Sequence, residues 1–149
     1  MPQLERVAKV TVLHYRKPGV SEEEFYRRMN EEFTPMATPI INRYKILKFV
    51  LNHSPSHLRN EAADAVALKG WTLSDYDGSV EYWVQDVDEI KKGLMIDPDW
   101  TGKVAVLEED IGDKHRGLVQ VSFEEVYIEN GKIVNLDNGK SAFSVVKSS

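Results

Sequence analysis

The stretch from Val10 to Met36 constrains this chain most, because it spells a strand, a tight turn and a capped helix without interruption. Val10, Val12 and His14 alternate with Thr11, Leu13 and Tyr15, the period of a strand with two different faces. Pro18-Gly19 stops that strand. Ser21 then precedes Glu24 by three residues, the spacing of a capping box, and Phe25, Met29, Phe33, Met36 and Ile40 follow at helical spacing. A strand feeding a packed helix is half of a βαβ-type unit, so the rest of the chain must supply the other half.

The first strand is expected over Val7 to Tyr15 and the first helical region from Ser21 to about Arg43. Pro35 and Pro39 each remove an amide donor there, so the helix should kink or restart near Thr34. Tyr44 to His53 reads as the second strand, with Leu47, Phe49, Leu51 and His53 on one face and Ile46, Lys48, Val50 and Asn52 on the other. Ser54-Pro55 can open a short helix from His57 to Lys69, ended by Gly70. Tyr76 to Gln85 alternates as a third strand, with Trp83 on its polar side. Asp86 and Asp88 are candidate caps for a helix interrupted at Gly93 and restarted at Asp97-Pro98, whose apolar stripe is Trp100, Val104 and Leu107. Gly117 to Ile128 is the fourth strand, and Asn130-Gly131 signals a hairpin that folds Lys132 to Leu136 back as a short extra strand.

The order is β-α-β-(small helix)-β-α-β with a C-terminal hairpin, which predicts a single α+β domain over residues 1–149 with a ferredoxin-like, split βαβ sheet and its helices on one face. The opposite face mixes Lys48, Glu81, Trp83, Gln120 and Glu124 with Val50 and Leu13, too apolar to stay wet, so a homodimer is expected to cover it. The chain has no cysteine, which removes disulfides, cysteine-ligated metals and thiol nucleophiles and leaves His, Asp, Glu and Tyr as its chemistry. A net charge of −5 offers no basic patch for nucleic acid. No apolar run reaches the length of a membrane span and the first residues lack the apolar core of a signal peptide, so a soluble cytoplasmic protein is expected.

The segment L-H-Y-R-K-P-G-V-S-E-E-E-F-Y-R-R-M-N-E-E-F-T-P-M-A resembles the opening of EthD-type domains. L-N-H-S-P-S-H-L-R, S-D-Y-D-G-S-V-E-Y-W-V-Q-D-V-D-E-I and D-P-D-W resemble the fungal EthD-like group of polyketide pathways, which includes decarboxylases of the atrochrysone carboxylic acid decarboxylase type. The resemblance covers roughly Val10 to Tyr127 and implies a dimeric α+β barrel. One departure limits it: Phe33 stands where many EthD domains carry a histidine, so any role of that histidine does not transfer.

No phosphate-binding glycine loop, H-E-x-x-H or G-x-S-x-G is present. The histidines are His14, His53, His57 and His115, the last read as exposed loop. His53 and His57 have metal-like spacing, but Ser54-Pro55 breaks any helix that would align them, so no metal is expected and His57 is kept as a substrate contact. His53 ends the second strand and Asp77 begins the third, which places both at one end of the sheet as a candidate general acid and its orienting carboxylate. Strict alternation sets them on opposite faces, so the pair needs a bulge or the strand edge; otherwise the histidine bonds loop backbone and the aspartate caps a turn. His14 lies on the apolar, helix-facing side, where a polar group needs a partner or a cavity. Tyr26, Tyr82 and Trp83 are candidate walls, and Phe33 and Met36 candidate linings for a flat ligand.

The expected function is a cofactor-independent lyase decarboxylating an aromatic or β-keto polyketide acid, with His53 as acid, Asp77 orienting it and His14 or Tyr26 bonding a substrate oxygen. Cyclisation or dehydration in the same pocket, or a non-catalytic binding dimer, are the alternatives.

Overall fold

The computed structural model describes residues 4–149. β1 (Val7–His14) leads to α1 (Glu22–Arg28), which passes through a π-helical stretch at Met29–Phe33 into α2 (Thr34–Ile41). β2 (Ile46–His53), α3 (Ser56–Leu68) and β3 (Gly78–Val84) follow. After them come α4 (Asp88–Ile90), π-helical segments at Lys91–Ile96 and Trp100–Val104, α5 (Ala105–Ile111) and β4 (Leu118–Glu124). The chain ends in two hairpins, β5 (Ile128–Glu129) with β6 (Lys132–Ile133) and β7 (Leu136–Asp137) with β8 (Lys140–Ser141). The sheet order is β2-β3-β1-β4 and all its pairings are antiparallel, the ferredoxin-like arrangement. Among the described residues no helix is long and apolar enough to cross a membrane.

Register builds the helix-facing side as rows across the strands. Leu51, Val80, Val12 and Val119 make one row, Phe49, Tyr82, Val10 and Val121 the next, and Ile46, Val84, Ala8 and Phe123 a third. Phe25, Met29, Phe33, Ala37, Ile40 and Ile41 from the first helical layer, with Trp100, Val104, Leu107 and Ile111 from the second, bury these rows where they cross β2, β3 and β1. Phe33 sits edge-on to Trp100 at 6.2 Å, and Phe49 stacks on Tyr82 at 5.2 Å. The fourth row is different in kind: His53, Gly78 and His14 lie side by side at the end of the sheet.

Several local expectations shift. Ser21 Oγ accepts from Glu24 N, but the Glu24 carboxylate turns to Arg27 instead of completing the capping box. The helix restarts at Thr34 as expected, after the π-helical stretch. A bulge between Ile46 and Lys48 returns Ile46 to the core and leaves Leu47 exposed, reversing the alternation assigned to the start of β2. α3 begins at Ser56 and buries none of its residues. The second hairpin, with Asn138 and Gly139 both at positive φ, was not expected.

The outer face of the sheet is more polar than its sequence suggested. Trp83 is only 9% exposed, because the Lys48 and Lys9 ammonium groups lie 4.7 and 5.6 Å from its ring and its indole N–H donates to Glu124. Lys9 also bridges Glu81 and Glu124, and Asn52 donates to Ser79 and Glu81.

Candidate active site

The fourth row marks the chemistry, because it places two imidazoles where the other rows place valine, leucine and aromatic rings. Among the described residues, His14 Nε2 and His53 Nδ1 are the buried side-chain polar atoms without a hydrogen-bond partner. Each such atom costs about 1–3 kcal/mol of lost hydration, so a fold that keeps two of them in one row departs from packing logic there.

His14 opens into a cavity of 290 Å³ between β1 and α5, with Val12, Ala105, Glu108, Gly112 and Gly117 among its walls. Burial pushes the His14 imidazole down to about 4. Across the same cavity, burial pushes the Glu108 carboxyl up to about 7. One ring that resists taking a proton thus faces one acid that resists losing it, the complementary displacement that marks acid–base sites. Tyr82 lies beneath: burial raises its phenol well above the ordinary range and the Glu108 charge raises it further, so it stays neutral.

The cavity shares Glu109, Gly112, Asp113 and Lys114 with an open basin of 850 Å³, on whose wall Met36 lies. That shared wall is fixed by backbone bonds, Lys17 N to Ile111 O at 2.8 Å and Asp113 N to Tyr15 O at 2.9 Å. Basin and cavity form a vestibule and a dead end of the size small-molecule sites have.

The expected His53–Asp77 pair is not made. His53 Nε2 lies 3.1 Å from Asn30 Oδ1, and its ring meets Tyr26 edge-on at 5.0 Å. Asp77 is only 6% exposed and is taken by Arg16, which donates from its backbone N at 2.9 Å and its Nε at 2.8 Å. The main chain of Asp77 donates to His14 O and accepts from Ser54 N, both at 2.9 Å, so this residue ties the ends of the strands bearing the two histidines. Arg16, two residues beyond the end of β1, holds the carboxylate instead.

The other expected contacts divide. Tyr26 stands beside His53, its phenol raised to about 12 chiefly by burial. Phe33 is fully buried and Tyr82 is 1% exposed, so both are core floor. Trp83 lies on the opposite face of the sheet from Tyr82 and walls nothing on the helix side. His57 is exposed on the first turn of α3, away from the cavity.

Glu108 was missed. Its sequence signal is position: Val104, Leu107, Glu108 and Ile111 fall at i, i+3, i+4 and i+7, so a carboxylate occupies the core-facing stripe.

Residues 17–113 match the EthD domain family. The dehydratase iacD of Pestalotiopsis fici is 33% identical over 89% of this chain and 96% of its own length. The decarboxylase claH of Passalora fulva is 22% identical over 84% of this chain and 80% of its own length. Among solved structures, a dimeric protein of unknown function and ferredoxin-like fold from Bacteroides fragilis superposes with a TM-score of 0.54 at 12% identity, over 78% of this chain and 94% of that one. The family match over more than half the chain, together with the relative at 33% identity, makes this protein a member of the EthD family.

Proposed function

We propose that this protein is a cofactor-independent lyase that eliminates water from a small β-hydroxy carbonyl compound of aromatic or polyketide type, acting as a homodimer, with His14 and Glu108 as its acid–base pair. The observation that carries this reading is the pair itself, a buried, unpartnered imidazole nitrogen and a half-buried carboxyl lining one small cavity. Dehydration needs two proton transfers, and the pair has one group for each. Neutral His14 takes the proton from the carbon next to the carbonyl. The C–H electron pair becomes the new C=C bond as the C–O bond breaks, and protonated Glu108 delivers its proton to the departing hydroxyl, which leaves as water.

A ring with so low a pKa is a weak base by itself. Concerted transfer removes that difficulty, because Glu108 turns into a carboxylate as His14 turns into an imidazolium, and the nascent ion pair is attractive beside the apolar core. A proton passed from His14 back to Glu108 restores the starting state. The name of the relative at 33% identity, a dehydratase, agrees with this assignment.

Decarboxylation is the second reading, favoured by relatives named decarboxylase. There the apolar cavity would desolvate the substrate carboxylate and protonated Glu108 would reprotonate the carbanion, leaving His14 to bond a substrate oxygen.

Incubation with β-hydroxy and β-keto polyketide acids followed by mass spectrometry separates loss of water from loss of carbon dioxide. Glu108→Gln should lower kcat by roughly 10²–10⁴ with the fold intact. Full rate in that variant would reject the acid–base assignment. Saturable binding without product, unchanged in Glu108→Gln and His14→Gln, would instead mean a binding protein.

A further inference from the structure

The basin that leads to the His14–Glu108 cavity carries charges that the acid–base pair does not use. Its cations are Lys17, Arg28, Lys103 and Lys114, and its carboxylates are Glu109, Asp110 and Asp113. Three of the cations have acids of their own. Arg28 gives Nε to Glu32 at 2.6 Å and Nη1 to Asp110 at 2.5 Å, Lys114 Nζ lies 3.2 Å from Glu109, and Lys103 Nζ lies 3.8 Å from Asp99. Among the described residues Lys17 has no ion-pair partner, and Asp113 accepts instead from the His115 backbone N at 3.1 Å.

The main chain, and not a partner for the side chain, sets where Lys17 stands. Its N donates to Ile111 O at 2.8 Å, and its O accepts from Val20 N at 3.0 Å across a turn in which Gly19 has a φ of +91°. Ile111 ends α5, and the next residue, Gly112, walls both basin and cavity. Gly112 N in turn donates to Glu108 O at 2.8 Å, so Glu108 lies one helical turn, about 5 Å, from the point where Lys17 is moored. The Lys17 side chain lines the basin and not the cavity. A fixed positive charge therefore stands just outside the chamber that holds His14 and Glu108.

An exposed lysine is ordinarily a solvated surface group. Two features set this one apart. The basin holds one more cation than carboxylate, and Lys17 is the cation left over. It also stands beside the wall that basin and cavity share, close to the acid. A single unmatched ammonium suits a monoanion, and the short spacing to Glu108 suits an anion on the same small molecule as the reacting carbon. A carboxylate meets both conditions. The phosphate of a pantetheine-type carrier arm does not, because a long chain separates it from the acyl carbon.

We propose that Lys17 is a specificity-determining residue of this site: its ammonium pairs with a carboxylate on the substrate, which stays in the basin while the β-hydroxy carbonyl portion enters the cavity with His14 and Glu108. That assignment rests on the reading of the cavity as the active site, and adds to it the group that selects an acid over the ester, amide or carrier thioester of the same skeleton. Met36, Val106 and Leu107 give the basin an apolar surface for the rest of the ligand. The ion pair is open to solvent, so it contributes about fivefold to affinity at low salt and less as salt screens it.

Binding of an unreactive aromatic acid tests this without turnover. Titration calorimetry at low salt should show 2-naphthoate binding about fivefold more tightly than its uncharged counterpart 2-naphthamide. Lys17→Met should abolish that preference by weakening naphthoate alone, with unchanged circular dichroism, and Lys17→Arg should keep most of it. Lys91→Met, which removes a positive charge elsewhere on the surface, should bind both probes as the parent does. Should Lys17→Met fail to fold, the parent itself gives the answer, because molar salt should shrink the preference. Equal affinity for the two probes, no binding of naphthoate, or a preference that survives Lys17→Met or molar salt would overturn the proposal. So would a preference lost equally in Lys91→Met, or 4′-phosphopantetheine binding more tightly than naphthoate and depending on Lys17. If no polyketide acid is turned over, the acid–base reading fails and the probe preference still stands; if Glu108→Gln abolishes turnover and the preference is absent, the Lys17 assignment alone fails.

Discussion

Glu108 occupies a position that an apolar side chain would fill at no electrostatic cost. It sits in the charged run Glu108-Glu109-Asp110, which reads as a solvated face, so only its phase with Val104, Leu107 and Ile111 distinguishes it from its neighbours. His14 was legible for the same reason, a polar residue in phase with Val10 and Val12. The two leave a signature in stability against pH. His14 is lowered from 6.5 to about 4, so its contribution is complete above pH 6.5 and is lost as pH falls through 4. Glu108 is raised from 4.5 to about 7, so the folded state is favoured below pH 4.5 and loses that advantage as pH rises through 7. Between 4.5 and 6.5 the two effects oppose each other, because folded and unfolded chains hold one proton each on the pair, and the parent should be nearly flat there. Glu108→Gln should lose about 3 kcal/mol of stability on going from pH 7 to 4, and His14→Gln about the same on going from pH 4 to 7. Urea midpoints across that range check both slopes; variants that follow the parent would show that neither group is displaced.

At the scale of elements, the strand–turn–helix of Val10 to Met36 was legible because periodicity, cap and turn are all local. The Asp77–Arg16 clamp was not, since it joins residues 61 apart through the pairing of β1 with β3. The bulge in β2 was hidden too: it moves Ile46 to the core face without any glycine or proline to announce it. Gly78 shows how one element sets the site. It separates His14 from His53, and a Cβ there would stand 2.9 Å from the Asn52 carbonyl oxygen and 3.7 Å from the Phe25 ring. The first contact is with backbone and cannot yield cheaply. Gly78→Ala should therefore destabilise the protein by about 1–3 kcal/mol, the usual range for overpacking, as read by urea unfolding. An unchanged midpoint would mean that the ends of β2 and β3 part readily and that the histidine row is loosely held.

For the molecule as a whole, the order of strands and helices was enough to give the ferredoxin-like topology, because each element carries its own period and the connections leave few ways to pair them. From the sequence, the outer face of the sheet is the one expected to take a partner. Trp83 on the outer face finds Lys9, Lys48 and Glu124 within its own chain, whereas the apolar side of β4 reaches past the helices that cover its neighbours. The cavity likewise follows from assembly: β1 brings His14, α5 brings Glu108, and neither element alone buries its group. The state of the Glu108 carboxyl consequently reports the assembled site. Carbon-13 NMR of the side-chain carboxyls, assigned by comparison with Glu108→Gln, measures it without any substrate. The account predicts that Glu108 titrates near 7; a Glu108 midpoint at the ordinary value of 4.5 would contradict it.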